Sequence, residues 1–190
     1  MDRTDELAAA ALRIVTDRGL PAVTFRAVAA ESGWSLGAVQ KTFRTKDDLV
    51  RATLTYAQAS VTARLSVDPG RPTLRAWLGD LVLATLPLDD ARRSACLIGV
   101  AVSDRAPFDP ELAGALSAWD AELCASIARL AARARSEGEL HPAVDGEHLA
   151  RAVVAFAAGL AGQLLYDRRD EEGVLALVRA TIEALTPPPA

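Results

Sequence analysis

"TFRAVAAESGWSLGAVQKTF", residues Thr24 to Phe43, is the stretch on which the reading of this chain turns. Thr24 has the side-chain oxygen to cap a short helix over Phe25 to Ser32, Gly33 breaks it, and Ser35 caps a second short helix that runs to about Thr42. Two short helices crossing steeply need a small residue at their contact, a left-handed residue in the turn and a branched apolar residue clamping the second helix to the first. Counted from Phe25, those demands fall at the fifth, ninth and fifteenth positions, which hold Ala29, Gly33 and Val39. Val28, Trp34 and Phe43 are expected to add packing. Leu36, Gly37, Ala38, Gln40, Lys41 and Thr42 are left on or near the exposed side. The triplet alone favours an αα-hairpin inside a helical core.

Charge separates the two readings further. The chain carries a formal net charge of -4, which argues against a general polyanion binder. From Thr24 to Lys46, however, there are four cations (Arg26, Lys41, Arg44, Lys46) against one acid (Glu31), and the only two lysines of the protein lie in this window. From Ala52 onward 13 basic residues face 18 acidic ones. The distribution points to a small nucleic-acid footprint on an acidic body.

Outward from this window, aliphatic and alanine residues recur at helical spacing and no alternating segment asks to be a strand, so the fold is expected to be all-α with about nine helices. Leu7, Ala11, Ile14 and Val15 mark a first helix ended by Arg18 and Gly19. Thr45 caps a longer helix with Asp47 and Asp48 in its first turn, reaching about Leu65 before "DPGRP" interrupts. Helices are then expected over Thr73 to Leu86, Asp90 to about Ser103, Asp109 to Arg135, Asp145 to Tyr166 and Asp170 to Leu185. "DPEL" at Asp109 sets an N-cap, a proline and an acid in the preferred order, and Gly138 stands just past a helix end. "PPPA" reads as a frayed tail.

At these residues the chain resembles the TetR family of transcriptional regulators. The block from about Leu7 to Leu54 is similar to that family's helix-turn-helix signature Val-Ser-x-Gly-x-x-Tyr-x-x-Phe-x-x-Lys-x-x-Leu, with Ser35, Gly37, Phe43, Lys46 and Leu49 in the matching places. Trp34 replaces the usual small aliphatic residue and Gln40 stands where tyrosine is commonest. The resemblance implies that Ser35, Leu36, Gly37 and Ala38 approach the major groove and that Gln40, Lys41 and Thr42 meet bases or backbone. Gln40 suits either adenine or a phosphate. Thr24, Arg26, Arg44 and Lys46 are the flanking candidates for phosphate. The implied partners are double-stranded operator DNA, a second copy of the chain and a small-molecule effector.

The larger body is read by helix faces. On the helix from Asp145, Leu149, Val153, Phe156, Leu160 and Leu164 form an apolar stripe beside a second stripe of mainly small residues, Ala152, Ala155, Gly159, Gly162 and Tyr166. The last helix presents Val174, Leu177, Val178, Thr181, Ile182 and Leu185. The pattern fits an intramolecular bundle or a symmetric four-helix interface, and the resemblance implies the dimer. "CLIGVAVSDRAPFDPEL", "EGEL" and "AAGLAGQLL" are similar to the C-terminal domains of the family's BetI-like branch. That branch implies an effector cavity, with Trp77, Cys96, Val100, Trp119, Leu123, Cys124, Phe156 and Leu160 as wall candidates; taken singly, each is better explained by ordinary core packing. The expected division is a DNA-binding domain over 1–50, an effector and dimerisation domain over 51–186, and a disordered tail at 187–190.

Other functions find little footing. His141 and His148 have no cysteine or acid at metal-ligand spacing, and no nucleophile elbow, phosphate loop or paired carboxylates appear, so neither an enzyme nor a metal or cofactor is expected. Cys96 and Cys124 lack the spacing of a zinc site or a disulfide framework. The charged opening Met1 to Glu6 does not suit a secretory signal, and the apolar window Ala150 to Leu165 is shorter than the roughly 20 residues a spanning helix needs. A soluble cytoplasmic repressor is the expectation; a helical protein-interaction module is the alternative.

Overall fold

The computed structural model describes residues 2–65, 73–167 and 169–189. Among them are nine α-helices and no strand: α1 (Arg3–Arg18), α2 (Phe25–Ser32), α3 (Leu36–Thr42), α4 (Lys46–Leu65), α5 (Leu74–Thr85), α6 (Asp90–Arg105), α7 (Pro110–Ser136), α8 (Gly146–Leu164) and α9 (Glu171–Leu185). Short 3-10 turns at Leu20–Ala22 and Ala106–Phe108, not anticipated from sequence, each hold a proline that suits their first positions. The "DPGRP" break lies outside the described residues.

Most helix starts follow from a side-chain oxygen. Asp2, Thr24, Ser35, Thr73, Asp89, Asp145 and Asp170 each accept a hydrogen bond from the backbone N–H three residues on, satisfying an amide that the helix itself leaves orphaned. Helix ends follow from glycine. Gly19, Gly33 and Gly138 have φ of 77°, 78° and 75°, and every other described residue with a side chain keeps φ negative. At Gly138 the chain turns back so that Glu139 N–H reaches the Ala134 carbonyl at 2.8 Å and Leu140 is buried.

Two compact units result, Met1–Ala63 with Asp89–Ala115, and Arg64–Leu88 with Leu116–Ala190. In the first, α1 packs on α2 and α6 through Leu7, Ala11, Ile14 and Val15, all 3% exposed or less. Ile98 and Val102 of α6 are fully buried there. Thus the compact unit around the DNA-reading candidates takes in α6, whereas the boundary expected at residue 50 falls just inside α4.

In the second unit α5 packs on α8 and α9. Its core joins Leu74, Leu78, Leu81 and Leu86 to Ile127, Leu149, Val153, Leu160, Val178 and Ile182. The start of the proline tail is tied to this unit: the Pro187 carbonyl accepts from His141 N–H at 2.9 Å, and Arg75 Nε donates to Thr186 Oγ1 at 3.0 Å.

Candidate nucleic-acid interface

The helix pair forms as its residue types dictate. Thr24 Oγ1 accepts from Ala27 N–H at 3.1 Å, Gly33 takes the left-handed conformation, and Ser35 Oγ accepts from Ala38 N–H at 3.2 Å. Both cap hydroxyls act here as acceptors, so their own protons remain to be given to an outside acceptor. Val28 and Val39 are fully buried and Phe43 is 4% exposed, which clamps α3 from its middle and its C-terminal end.

Trp34 departs from its expected role. It is 38% exposed rather than packed between the two helices, and its indole turns toward α1, where Nε1–H donates to Glu6 Oε2 at 2.9 Å.

Thr24, Arg26, Leu36, Gln40, Arg44 and Lys46 line one concavity of about 610 Å³, together with Phe25 and Thr45. Leu36 and Gln40 are one turn apart on α3 and share a face. Gly37 and Lys41 form the adjoining exposed row; with Ser35, Ala38 and Thr42 they lie outside this lining. Thr42 is half-buried and its hydroxyl donates to the Ala38 carbonyl at 3.0 Å, so its donor is already engaged within α3. Phe25 and Thr45 went unpredicted as lining residues, although Thr45 was legible as a cap.

The start of α4, whose Thr45 and Lys46 line this concavity, is braced by charge. Thr45 and Asp48 cap α4 reciprocally, Asp48 Oδ2 accepting from Thr45 N–H at 2.8 Å and Thr45 Oγ1 from Asp48 N–H at 3.0 Å. Hydrogen bonding to the Asp48 carboxyl from the Thr45 side chain, and then from the Thr45 backbone N–H, holds it below the usual aspartate range, with Arg51 adding to the effect. Arg51 also pairs with Asp48 and Glu111, and Arg105 pairs with Asp47 at 2.8 Å and Asp109 at 3.5 Å. Arg51–Asp48 and Arg105–Asp109 are local helical spacings, but no local signal betrays Arg51–Glu111 or Arg105–Asp47, whose partners stand 60 and 58 residues apart in the chain.

The effector-wall candidates divide. Trp77, Leu123, Cys124, Phe156 and Leu160 belong to or pack against the core of the second unit, and Trp119 on α7 is half-buried. Cys96 and Val100 lie on α6 in the first unit, Val100 being 48% exposed. Burial pushes the Cys96 thiol up to about 11, so it is protonated and unreactive at neutral pH.

The interface candidates divide as well. Val174, Val178 and Ile182 are 2% exposed or less within the single chain, where they belong to the core of the second unit. Leu177, Thr181 and Leu185 are half-buried, as are Ala152 and Gly162. Ala155, Gly159 and Tyr166 are exposed, Tyr166 at 81%. Among the described residues no helix is long and apolar enough to cross a membrane, and no cluster of acid, histidine or cysteine side chains is arranged to hold a metal.

Comparison with known proteins places this geometry. Residues 7–53 match the family model for bacterial regulatory proteins of the tetR family, and residues 72–187 match that for the C-terminal domain of BetI-type transcriptional repressors. The HTH-type transcriptional regulator PksA of Bacillus subtilis is 35% identical over 63 residues, a match spanning 33% of this chain and 31% of that protein. A transcriptional regulator from Rhodococcus sp. Rha1 shares the fold with a TM-score of 0.85 at 26% identity, over 97% of this chain and 96% of its own. The multidrug binding protein EbrR, solved with ethidium, aligns with a TM-score of 0.73 at 23% identity over 98% and 99% of the two chains. These matches favour a regulator over a protein-interaction module, and with two family models covering most of its length the chain belongs to the TetR family of transcriptional regulators, in its BetI-type branch.

Proposed function

We propose that the protein is a cytoplasmic, homodimeric repressor that binds a pseudo-palindromic operator and is released by a small apolar or aromatic effector. The observation that carries this is the concavity beside α3. It gathers Arg26, Arg44 and Lys46, the Thr24 hydroxyl and the Gln40 amide around the exposed face of a capped helix. Cations and a hydroxyl suit phosphates, the α3 face suits base edges, and the combination matches how a helix is docked in a major groove. The local excess of charge is modest, so two copies on two half-sites supply the affinity that one lacks.

The exposed small residues of α8, Ala155 and Gly159, are the interface positions best placed to let a partner helix approach closely. Trp77, Leu123, Cys124, Phe156 and Leu160 are the effector-facing candidates. Their apolar character, and the ethidium complex of EbrR within the same fold, support an aromatic ligand. Lowering operator affinity 100-fold requires the effector to favour the released state by about 2.7 kcal/mol. Catalysis has no place in this reading.

Selection of duplexes from a random pool tests it. A common palindromic sequence is expected, and K41A and K46A are each expected to weaken binding and reduce the salt slope by about 1. Enrichment of no common sequence defeats the repressor reading.

A further inference from the structure

Trp34 sits in the turn between α2 and α3, immediately before the residue that caps the base-facing helix. Three contacts hold it. The indole Nε1–H donates to Glu6 Oε2 at 2.9 Å, the Arg3 guanidinium carbon lies 5.9 Å from the ring centroid, and the backbone N–H donates to Ser32 Oγ at 3.3 Å. Arg3 and Glu6 stand three residues apart in the first turns of α1, so both belong to one face of that helix.

The position of these contacts matters because α3 has only seven residues. Val39 and Phe43 pin its middle and its C-terminal end in the core. Its first turn has the half-buried Leu36, the exposed Gly37 and the Ser35 cap. The end aimed at base edges is therefore the end with the least packing of its own, and a short helix anchored at one end pivots about that anchor. The indole fastens the free end to a second helix by a charge-assisted hydrogen bond and a cation–π contact.

We propose that Trp34 is a positioning residue for sequence reading: α1, through Glu6 and Arg3, holds the turn ahead of Ser35 and so sets where the first turn of α3 enters the groove. The inference rests on the operator-binding reading above. Trp34 acts through Ser35 and α3. Glu6 contributes the acceptor, while Arg3 covers the ring.

The test compares W34F, E6A, E6Q and the double variant W34F/E6A in the full chain. Binding to a selected duplex and to a scrambled one is measured across salt, and amide exchange over residues 33–39 is followed without DNA. W34F and E6A are each expected to weaken binding to the selected duplex by about tenfold, the size of effect a lost hydrogen bond to a charged acceptor produces. Scrambled-duplex affinity and the salt slope should stay as in the parent, because no phosphate contact is removed. E6Q keeps an acceptor oxygen and should restore most of the loss. The double variant should lose no more than the worse single one. Exchange at residues 35–39 should quicken in W34F and E6A.

Parent-like binding in both single variants overturns the proposal. So do losses that multiply in the double variant, or losses equal on both duplexes with a shallower salt slope. Should the parent chain select no common sequence, the operator reading fails by itself, and parent-like exchange in W34F and E6A overturns the anchoring contact separately.

Discussion

Gly37 and Gly33 lie four residues apart and answer to different physical demands. Gly33 has φ of 78°, and a Cβ built there meets nothing within 4 Å, so its requirement is conformational rather than steric. G33A should lower unfolding stability by about 1 kcal/mol in denaturant titration through left-handed strain alone. Gly37 has ordinary helical geometry and open space around its Cβ position. In the free protein G37A should therefore gain up to about 1 kcal/mol of helix propensity. If Gly37 faces the duplex at close range, the same change should weaken operator binding. Stability and affinity moving in opposite directions is the expected result, read from melts and binding isotherms; a variant that gains both places Gly37 away from the DNA. Cys96 offers a check on burial, since a thiol with its pKa pushed up to about 11 should resist iodoacetamide at pH 8 until the chain is unfolded.

Helices here are governed at their ends, and that makes them sensitive to acid. Asp48 caps α4 and Asp145 caps α8, and both carboxyls are held below their ordinary range: Asp48 first by the Thr45 hydrogen bonds, Asp145 first by His148 N–H. A carboxyl with a depressed folded pKa contributes stability that is present above its unfolded value and lost as pH falls through the folded one. D48A and D145A should therefore melt below the parent at neutral pH, with the gap closing below the usual aspartate range. Melting curves taken across acid and neutral pH check this, and a gap independent of pH would assign the effect to helix propensity. The sequence showed Thr45 as the cap of α4 and Asp48 only as an acid in its first turn, because a cap is a local pattern of one oxygen three residues before an amide. It did not show that Arg105 and Arg51 brace the start of α4 from α6 and toward α7, since those pairings exist only after distant helices have packed.

For the whole molecule the decisive quantity is the state of assembly. The exposed face of α8 carries Ala155 and Gly159, whose small side chains permit close helix approach and whose enlargement should block it. A155R and G159R should sediment as monomers at concentrations where the parent is a dimer. Their fold should be retained, because both positions face away from the core of their unit. Operator affinity should fall steeply in both, since a monomer presents one reading head where two half-sites require a pair. A parent chain that sediments as a monomer at working concentration would defeat the dimeric repressor.

The sequence by itself determined the all-α class, nearly every helix boundary and the identity of the reading pair, because caps, left-handed glycines and helical periodicity act over three to seven residues and leave their mark in consecutive letters. Tertiary structure alone decided which apolar residues of a helix face inward. On α9 a single stripe reads Val174, Leu177, Val178, Thr181, Ile182 and Leu185, yet packing on α5 encloses Val174, Val178 and Ile182 and leaves the others partly open. It also decided Trp34, whose letter suggests core and whose partners Glu6 and Arg3 lie about thirty residues upstream. Periodicity names a face but not the neighbour that will cover it, and that neighbour is fixed only when the chain has folded back on itself.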